Sequence, residues 1–364
     1  MSLAELAPQY LAAIEDELHL AIGSERTHRE EYLARHPKLG RDEPQSLPAG
    51  DLSEYYAMLE YHLGWGGQTA GRASGAAAKG KRIRPLLCLL CASAAGGDWR
   101  QALPVAAAVE LIHNFSLIHD DIQDNSPLRR GRPTVWQQWG QAQAINAGDA
   151  MFTLAHLAPQ RLLALGAAPE AVLGALAELN YTCLELTQGQ HLDMLFEHKA
   201  MVTVPEHMVM IEKKTAVLIA AAALLGASLA GASSERLEHF YAYGWSLGLA
   251  FQFRDDLLGI WGDPAVTGKS AASDLEKRKK SLPVVFGLEH SAEFAQAYSR
   301  PHQPGESVAA LSAELESLGA REYVESQVLE TSIRAEQELE RCQASEPAGQ
   351  ALRDLTRQLL QRTQ

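Results

Sequence analysis

Apolar side chains recur every three or four positions along most of the chain, which is the spacing that places them on one face of an α-helix. The stretch LAELAPQYLAAIEDELHLAI, which starts at Leu3, shows this amphipathic pattern. From Leu52 onward similar segments follow one another, separated by short breaks such as AAGGD and SPLRRGRP. We find no convincing run of alternating β-branched residues. The pattern predicts an all-α protein with about ten or more helices, some of them wholly buried.

The same pattern divides the chain into an extension and a main part. Residues 1–50 are predicted to form an N-terminal helix followed by a loop-rich, polar and proline-containing connection from about Arg26 to Gly50. Residues 51–364 show no mark of a further boundary and are predicted to form a single domain. The charged segment from ELESLGAREYV to the end of the chain is predicted to form outer helices.

Composition and charge narrow the possible partners. The chain has 364 residues, is rich in Ala and Leu, and carries a net charge of −13. An acidic protein has no general attraction for nucleic acid or anionic membranes, so an anionic substrate would have to be bound by local basic clusters. The longest uncharged run, from Ala216, is mostly Ala, Gly and Ser, and is predicted to be a buried helix and not a membrane span.

The N-terminus and the cysteines point to the cytoplasm. No basic segment followed by an apolar core is found at the N-terminus, so no signal peptide is predicted and a cytoplasmic location is expected. Four cysteines do not make a disulfide framework in a chain of this length. Cys88 and Cys91 form an isolated C-x-x-C within an apolar run, and we interpret them as buried core thiols.

The stretch HDDIQD, which starts at His119, brings three carboxylates together. On a helix, Asp120 and Asp124 share a face one turn apart, with Asp121 beside them. Ionised carboxylates so close repel each other unless cations bind them, and oxygen ligands suit a hard cation such as Mg²⁺. A solvated acidic helix face is the alternative interpretation of this stretch taken alone.

A second acidic pair and several basic clusters support a metal–diphosphate site. Asp255 and Asp256 follow the apolar segment of FQFRDD. Basic side chains cluster in GKRIRP, in LRRGRP just beyond the first acidic stretch, in EKKTA, and in TGKS and EKRKKS. Mg²⁺ usually binds one or two carboxylates together with phosphate oxygens, while Arg and Lys bind the remaining oxygens. Each basic run alone would fit an exposed loop, but their joint occurrence favours a diphosphate substrate.

Seven motifs in order resemble those of the trans-isoprenyl diphosphate synthases of the polyprenyl synthetase family. The resemblance covers the chain from about Leu52 to at least Leu288 and rests on these stretches: GKRIRP, HNFSLIHDDIQDNSPLRRGRPT, NAGDA, GQHLD, KKTA, FQFRDD and GKSAASDLEKRKKSLP. It implies an all-α bundle around a deep central cavity, usually a homodimer. It also implies condensation of isopentenyl diphosphate with an allylic diphosphate, dependent on Mg²⁺, typically three ions per active site.

The resemblance also implies roles for individual residues. Metal ligands would be Asp120, Asp124 and Asp255, with Asp121 and Asp256 supporting them. The allylic diphosphate would be bound by Arg129, Lys214, Gln252, Lys269 and Lys279. Isopentenyl diphosphate would be bound by Lys81, Arg84, His113 and Arg130. Thr215 and Gln252 would stabilise the allylic cation that forms when the diphosphate leaves.

The second aspartate motif departs from the family pattern DDxxD. Its fifth position is Gly259, and Asp263 follows four residues later, too far along a helix to replace the missing carboxylate directly. The first aspartate of this motif normally contributes most of the ligation. We therefore expect the metal still to bind there, with lower affinity.

Product length depends on the side chains that precede the first motif. Phe115 lies five positions before Asp120, about 7.5 Å along a helix. Its bulky ring, with the small Ser116 beside it, would limit the cavity that holds the growing chain, although a simple core role is the alternative. An aromatic at this position without an insertion in the motif resembles geranylgeranyl (C20) synthases. A farnesyl (C15) product is the second possibility.

Two other functions would fit parts of the same pattern. A terpene cyclase of this fold would not need the isopentenyl diphosphate residues, which are all present. A regulatory subunit without catalysis tends to lose motif aspartates, and here the key ones are kept. The prenyltransferase interpretation is therefore preferred to both.

Overall fold

A computed structural model describes residues 2–23, 25–36, 52–65, 79–262, 272–300 and 307–360. Over these residues the all-α prediction is confirmed. The helices of the first part are α1 (Leu3–Ile22), α2 (Glu25–Arg35), α3 (Ser53–His62), α4 (Ile83–Ala95), α5 (Leu103–Gln123), α6 (Val135–Trp139), α7 (Gln141–Leu157) and α8 (Pro169–His198). Those of the second part are α9 (Val204–Ile211), α10 (Val217–Leu229), α11 (Ser234–Trp261), α12 (Ser273–Glu276), α13 (Leu282–His290), α14 (Ala292–Tyr298), α15 (Ala309–Ser317), α16 (Ala320–Arg341) and α17 (Ala348–Leu360).

Shorter elements connect these helices. Two 3₁₀ turns span Trp99–Ala102 and Ala158–Leu163, and a π-helix spans Glu212–Ala216. A small antiparallel hairpin, which the sequence pattern did not predict, pairs β1 (Leu128–Arg129) with β2 (Arg132–Pro133). Its two strands are too short to show an alternating pattern.

The N-terminal extension differs from its prediction. We predicted a loop from about Arg26, but Glu25–Arg35 is helical. This segment contains three Glu and three Arg, which are strong helix formers even when no apolar face is evident. The predicted boundary between residues 50 and 51 lies outside the described residues.

The chain divides into two compact units, each considered by itself below. The N-terminal unit comprises Ala7–Leu89 and Arg100–Leu176, and the C-terminal unit comprises Met1–Leu6, Leu90–Trp99 and Ala177–Gln364. The first aspartate motif belongs to the N-terminal unit and the second to the C-terminal unit.

The core of the N-terminal unit is built around α5, which packs against α7. Pro104 starts this helix, where its missing N–H needs no partner. Every residue from Val105 to Ile112 is buried, so this part of the helix is surrounded by protein on all sides. The helical stretch Trp99–Gln123 has the length and apolar composition to cross a membrane, but 72% of its most apolar window is buried inside the protein.

The core of the C-terminal unit is built around α11, which packs against α10 and α16. Close packing with α10 depends on glycine, because a Cβ on Gly244 would lie 2.7 Å from the Cα of Ala220. The uncharged run from Ala216 forms α10 and is buried, as predicted.

Cys88 and Cys91, both on α4, are fully buried, as predicted, and burial raises the pKa of the Cys88 thiol to about 12.

Candidate active site

The first aspartate motif lies at the C-terminal end of α5. Asp120 and Asp121 belong to its last turn, and Asp124 caps it by donating its backbone N–H to the Asp120 carbonyl oxygen at 2.8 Å. Asp121 is buried, Asp120 is half-buried and Asp124 is exposed. The predicted spacing is thus confirmed, and Asp121 is the carboxylate that faces the protein interior.

Asp121 binds Arg129, which lies on β1. The Nε of Arg129 donates to both carboxylate oxygens of Asp121 at 2.9 Å. Burial raises the pKa of Asp121, and the hydrogen bond and charge of Arg129 oppose that shift. Asp121 therefore fixes the position of Arg129, and its predicted support of the metal ligands stays a prediction.

The β1–β2 hairpin directs the next two arginines to different places. Its two turn residues, Arg130 and Gly131, have φ values of +52° and +74°, as a tight two-residue hairpin turn requires. The guanidinium of Arg130 lies against Gly80, where a Cβ would be 2.6 Å from its Nη2. Arg132 is buried, donates to the Tyr61 carbonyl oxygen at 3.3 Å and has a structural role.

The residues predicted to bind isopentenyl diphosphate come together in the N-terminal unit. Nη1 of Arg84 lies 3.3 Å from Nε2 of His113. Burial, followed by the charges of Arg84 and Arg130, lowers the pKa of His113 well below its ordinary value, so the ring is neutral. Within the described residues, the buried Nε of Arg84 has no hydrogen-bond acceptor. Lys81 is exposed in the adjacent loop.

His62 belongs to the same region, although we did not predict it. It lines a small cavity of about 20 Å³ together with Asp121, Arg129 and Arg130. Burial and then the charges of Arg129 and Arg130 lower its pKa well below the ordinary value for histidine. Because His62 belongs to none of the motifs, only its tertiary position reveals it.

The second aspartate motif, in the C-terminal unit, also combines an exposed aspartate with a buried one. Asp255 is exposed, whereas Asp256 is buried. Asp256 accepts hydrogen bonds from Nε2 of Gln252 at 2.8 Å and from the backbone N–H of Leu282 at 2.8 Å. Nε2 of His207 lies 3.6 Å from the same carboxylate. Asp256 therefore orients Gln252 and ties α11 to the start of α13.

A π-helix presents Lys214 and Thr215. The Thr215 hydroxyl lies 2.9 Å from Oε1 of Gln252, to which it donates a hydrogen bond. Nζ of Lys214 lies 2.5 Å from Oδ2 of Asp193, the aspartate of the GQHLD motif. Short π-helical segments of this kind occur frequently at functional sites. Gln252 and Thr215 are thus brought together as predicted, and Asp193 is a partner that we did not predict.

The π-helix needs a glycine opposite it. A Cβ on Gly189 would lie 2.4 Å from the backbone nitrogen of Lys214. This close approach explains the glycine of GQHLD, since any side chain there would push the π-helix away from α8.

Gly259, which stands where the DDxxD pattern has its last aspartate, faces Asp274. A Cβ on Gly259 would lie 2.1 Å from Oδ2 of Asp274, which belongs to α12. Another carboxylate thus occupies the space beside position 259. The backbone N–H of Lys279 donates to the Asp274 carbonyl oxygen at 2.9 Å, and its side chain is exposed. Lys269 and Asp263 lie outside the described residues.

Phe115, which was predicted together with Ser116 to set product length, lies on the α5 face toward α7. Phe115 is buried and makes edge-to-face contacts with Phe152 and with His119, at centroid distances of 5.2 and 5.8 Å. Ser116 is half-buried, and its hydroxyl donates to the His113 carbonyl oxygen at 2.8 Å. Phe152 was not predicted, because nothing in the pattern of α7 distinguishes it.

The solvent-accessible carboxylates of each aspartate motif are ligands that suit magnesium. Asp120, Asp124 and Asp255 offer only carboxylate oxygens, and all three keep some exposure to solvent. In the described part of the chain, no group of three or more His, Cys, Asp or Glu side chains is arranged to hold a metal ion. Mg²⁺ commonly takes one or two carboxylates and completes its shell with water and phosphate oxygens, so it does not need such a group.

Comparisons with known proteins match this chain to one family. The family model for polyprenyl synthetases matches residues 73–315. The geranylgeranyl diphosphate synthase of Mycobacterium tuberculosis is 45% identical over 249 residues, which cover 67% of this chain and 69% of that protein. The farnesyl diphosphate synthase of the same organism is 47% identical over 233 residues, 64% of this chain. The match spans 63% of that synthase, less than two thirds of its length.

Solved structures share the fold over nearly the whole chain. A geranylgeranyl pyrophosphate synthase from Corynebacterium glutamicum superposes with a TM-score of 0.78 at 27% identity, covering 98% of this chain and 99% of that one. That structure is a complex with isoprenyl diphosphate and magnesium.

Proposed function

The chain belongs to the polyprenyl synthetase family, and on that premise we propose that it is a magnesium-dependent short-chain trans-prenyltransferase. It condenses isopentenyl diphosphate with an allylic diphosphate. The observation that carries this proposal is the cluster of Arg84, His113 and Arg130 in the N-terminal unit. Arg84 and His113 lie outside both aspartate motifs, and Arg130 borders the small cavity that Asp121 also lines. The cluster therefore offers cationic partners to a second diphosphate, which a reaction with two diphosphate substrates requires.

The aspartate motifs and their basic neighbours serve the allylic substrate. Asp120, Asp124 and Asp255 would hold Mg²⁺, in this proposal three ions, which would neutralise charge on the leaving diphosphate. Its remaining oxygens are bound by Arg129, Lys214, Gln252, Lys269 and Lys279. Fixed cations stabilise the diphosphate most where its negative charge develops, as the C–O bond breaks. The contact with Asp121 supports this role for Arg129, since it holds the side chain in place before substrate binds.

Isopentenyl diphosphate is bound by Lys81, Arg84, His113 and Arg130. A neutral His113 accepts from Arg84 through one nitrogen and is left with the other to donate to a diphosphate oxygen. The double bond attacks the allylic cation, a C–C bond forms, and a proton is lost to the departed diphosphate. Thr215 and Gln252 direct oxygen atoms toward the allylic cation and stabilise it. Positioning of the two substrates supplies much of the rate enhancement.

The product is geranylgeranyl diphosphate in this proposal. The buried Phe115 ring, packed against Phe152, supports a limited cavity below the first motif. The relatives include both geranylgeranyl and farnesyl diphosphate synthases, so a C15 product is the second candidate. A homodimer and a cytoplasmic location stay predictions.

A product assay tests the proposal. Purified protein is incubated with isopentenyl diphosphate, Mg²⁺ and a C5, C10 or C15 allylic starter in turn, and the dephosphorylated products are sized by mass spectrometry. We expect a ladder that ends at C20. A ladder that ends at C15 would support the same reaction with farnesyl diphosphate as its product. Starters consumed without isopentenyl diphosphate, with release of hydrocarbons or alcohols, would identify a terpene cyclase instead.

A further inference from the structure

The loop that carries Lys81 and leads into Arg84, in the first turn of α4, has an unusual backbone. Gly80 and Arg82 both have positive φ values, +75° and +47°. A residue with a Cβ in this conformation costs of order 1 kcal/mol or more and persists only where the surroundings fix it. Lys81 and Arg84 lie on either side of Arg82 along the chain, so their directions depend on how Arg82 is held.

Arg82 is held by three groups and is itself buried. Its Nη2 donates to the Leu63 carbonyl oxygen at 2.8 Å, and its Nη1 donates to Oε1 of Glu110 at 2.9 Å. The third group is Glu15, whose Oε1 accepts from Nε of Arg82 at 2.8 Å. With all its donor positions directed into the protein, Arg82 fixes the loop and does not reach a substrate.

Glu110 links Arg82 to the helix that carries His113. It lies on α5, and its Oε1 also accepts from Nδ2 of Asn114 at 3.0 Å. Arg84, in the first turn of α4, and His113, on α5, contact each other. They are therefore tied through a second, buried connection as well.

Glu15 brings the N-terminal helix into the same network. Its Oε2 accepts from Nε1 of Trp65 at 2.6 Å, and Nζ of Lys79 lies 3.5 Å from that oxygen. Burial alone would raise the pKa of Glu15, but its hydrogen bond with Arg82 and that residue's charge keep the pKa below the ordinary value. The carboxylate is thus ionised and bridges segments before and within the GKRIRP motif.

We infer that Glu15 is a positioning residue for isopentenyl diphosphate: through Arg82 it holds the loop conformation that directs Lys81 and Arg84 to this substrate. The inference rests on the proposed function. It gives the N-terminal helix, which precedes all the motifs, a role in the affinity for one of the two substrates.

Steady-state kinetics with each substrate varied in turn tests the inference. Glu15→Gln keeps the shape of the side chain and removes its charge, and Asp16→Asn makes the same change at an exposed position of the same helix. For Glu15→Gln we expect the KM for isopentenyl diphosphate to rise about three- to tenfold, with the KM for the allylic diphosphate within about twofold of the native value. Asp16→Asn should leave both unchanged.

A second variant and a reference variant make the result decisive. Trp65→Phe removes one hydrogen bond to Glu15 and should raise the same KM by a smaller factor, which keeps the test available if Glu15→Gln fails to fold. Arg84→Ala reports on the isopentenyl site itself. If Arg84→Ala raises the KM for isopentenyl diphosphate while Glu15→Gln and Trp65→Phe match Asp16→Asn, the role of Glu15 is refuted and the proposed function stands.

Two other outcomes also decide against the inference. If the Glu15 variant raises both KM values equally, its role is general stability and not positioning for one substrate. If Arg84→Ala leaves the KM for isopentenyl diphosphate unchanged, the site is wrongly located and the proposed function fails together with the inference.

Discussion

The ring of Phe115 meets the ring of Phe152 edge to face, with their centroids 5.2 Å apart. Phe115 comes from the helix of the first aspartate motif and Phe152 from the helix packed against it. Phe115 is buried, while Phe152 keeps 37% of its surface exposed. The ring on α7 therefore limits how far the ring on α5 can move.

The first prediction concerns product length. Phe115→Ala removes the ring below the aspartates, so we expect products longer than those of the native protein by one or more isoprene units. Phe152→Ala should shift the distribution in the same direction but less, because Phe115 stays and loses only its support. Thr153→Ala, a small change at an exposed position of α7 next to Phe152, should not alter product length. Mass analysis of products from a C15 starter checks this, and identical distributions in all variants would contradict a role for Phe115.

The motifs made most of the site predictable from sequence, because their residue types and spacing serve one chemistry. The helical placement of Asp120 and Asp124 followed from a four-residue spacing alone. The resemblance gave Thr215 and Gln252 a common role, but only the structure shows the hydrogen bond between them. The all-α architecture followed from apolar periodicity. Among the described residues, that pattern missed the charged helix Glu25–Arg35 and the short β1–β2 hairpin.

Other parts of the site could not be predicted because they depend on tertiary contacts between segments distant in sequence. His62 and Phe152 belong to no motif and are identified by what they touch. Gly189 stands in a motif, but only the structure shows that it accommodates a backbone. The π-helix at Glu212–Ala216 differs from an α-helix by its hydrogen-bond register, which leaves no mark in the apolar pattern.

The second prediction concerns Gly189. A Cβ there would lie 2.4 Å from the backbone nitrogen of Lys214, and backbone cannot move aside as a side-chain end can. Gly189→Ala should destabilise the protein by about 1–3 kcal/mol and raise the KM for the allylic diphosphate, because Lys214 and Thr215 are displaced. Gly174 lies on the same helix with nothing within 4 Å of a Cβ. Gly174→Ala should stabilise the helix by up to about 1 kcal/mol.

Thermal unfolding and allylic-substrate kinetics of the two glycine variants check this prediction. Equal behaviour of Gly189→Ala and Gly174→Ala would show that the π-helix is not constrained by α8.

The third prediction concerns pH. The folded pKa values of His62 and His113 lie well below the ordinary value, so below a pH of about 6.5 the unfolded chain binds protons that the folded chain does not. Their contribution to stability is therefore complete above that pH and is lost as the pH falls toward the folded pKa values. The free energy of unfolding should fall by at most about 1.4 kcal/mol per pH unit for each histidine.

Urea unfolding between about pH 7.5 and pH 5 measures this slope. His113→Gln should reduce it, whereas His198→Gln, at an exposed position, should not. A slope that is the same in the native protein and in both variants would rule out neutral, buried histidines in the basic cluster.

The fourth prediction concerns Gly259 and Asp274. From the sequence, Gly259→Asp should strengthen Mg²⁺ binding by restoring the usual DDxxD pattern. In the structure, a Cβ at this position would lie 2.1 Å from Oδ2 of Asp274. The new side chain would therefore meet an existing carboxylate and add a like charge beside it. We expect Gly259→Asp alone to destabilise the protein by about 1–3 kcal/mol, and Gly259→Ala to cost less because the Asp274 carboxylate can rotate away.

Separating the metal effect from the steric effect requires the double variant Gly259→Asp/Asp274→Ala. This variant keeps one carboxylate in the space that the two would otherwise share, so its thermal stability should exceed that of Gly259→Asp. Its half-saturating Mg²⁺ concentration, measured by activity and by the rise in unfolding temperature with Mg²⁺ and inorganic diphosphate, should be lower than that of Asp274→Ala. If the two half-saturation values are equal, the fifth position of the second motif does not contribute to metal binding, and Gly259 does not weaken it.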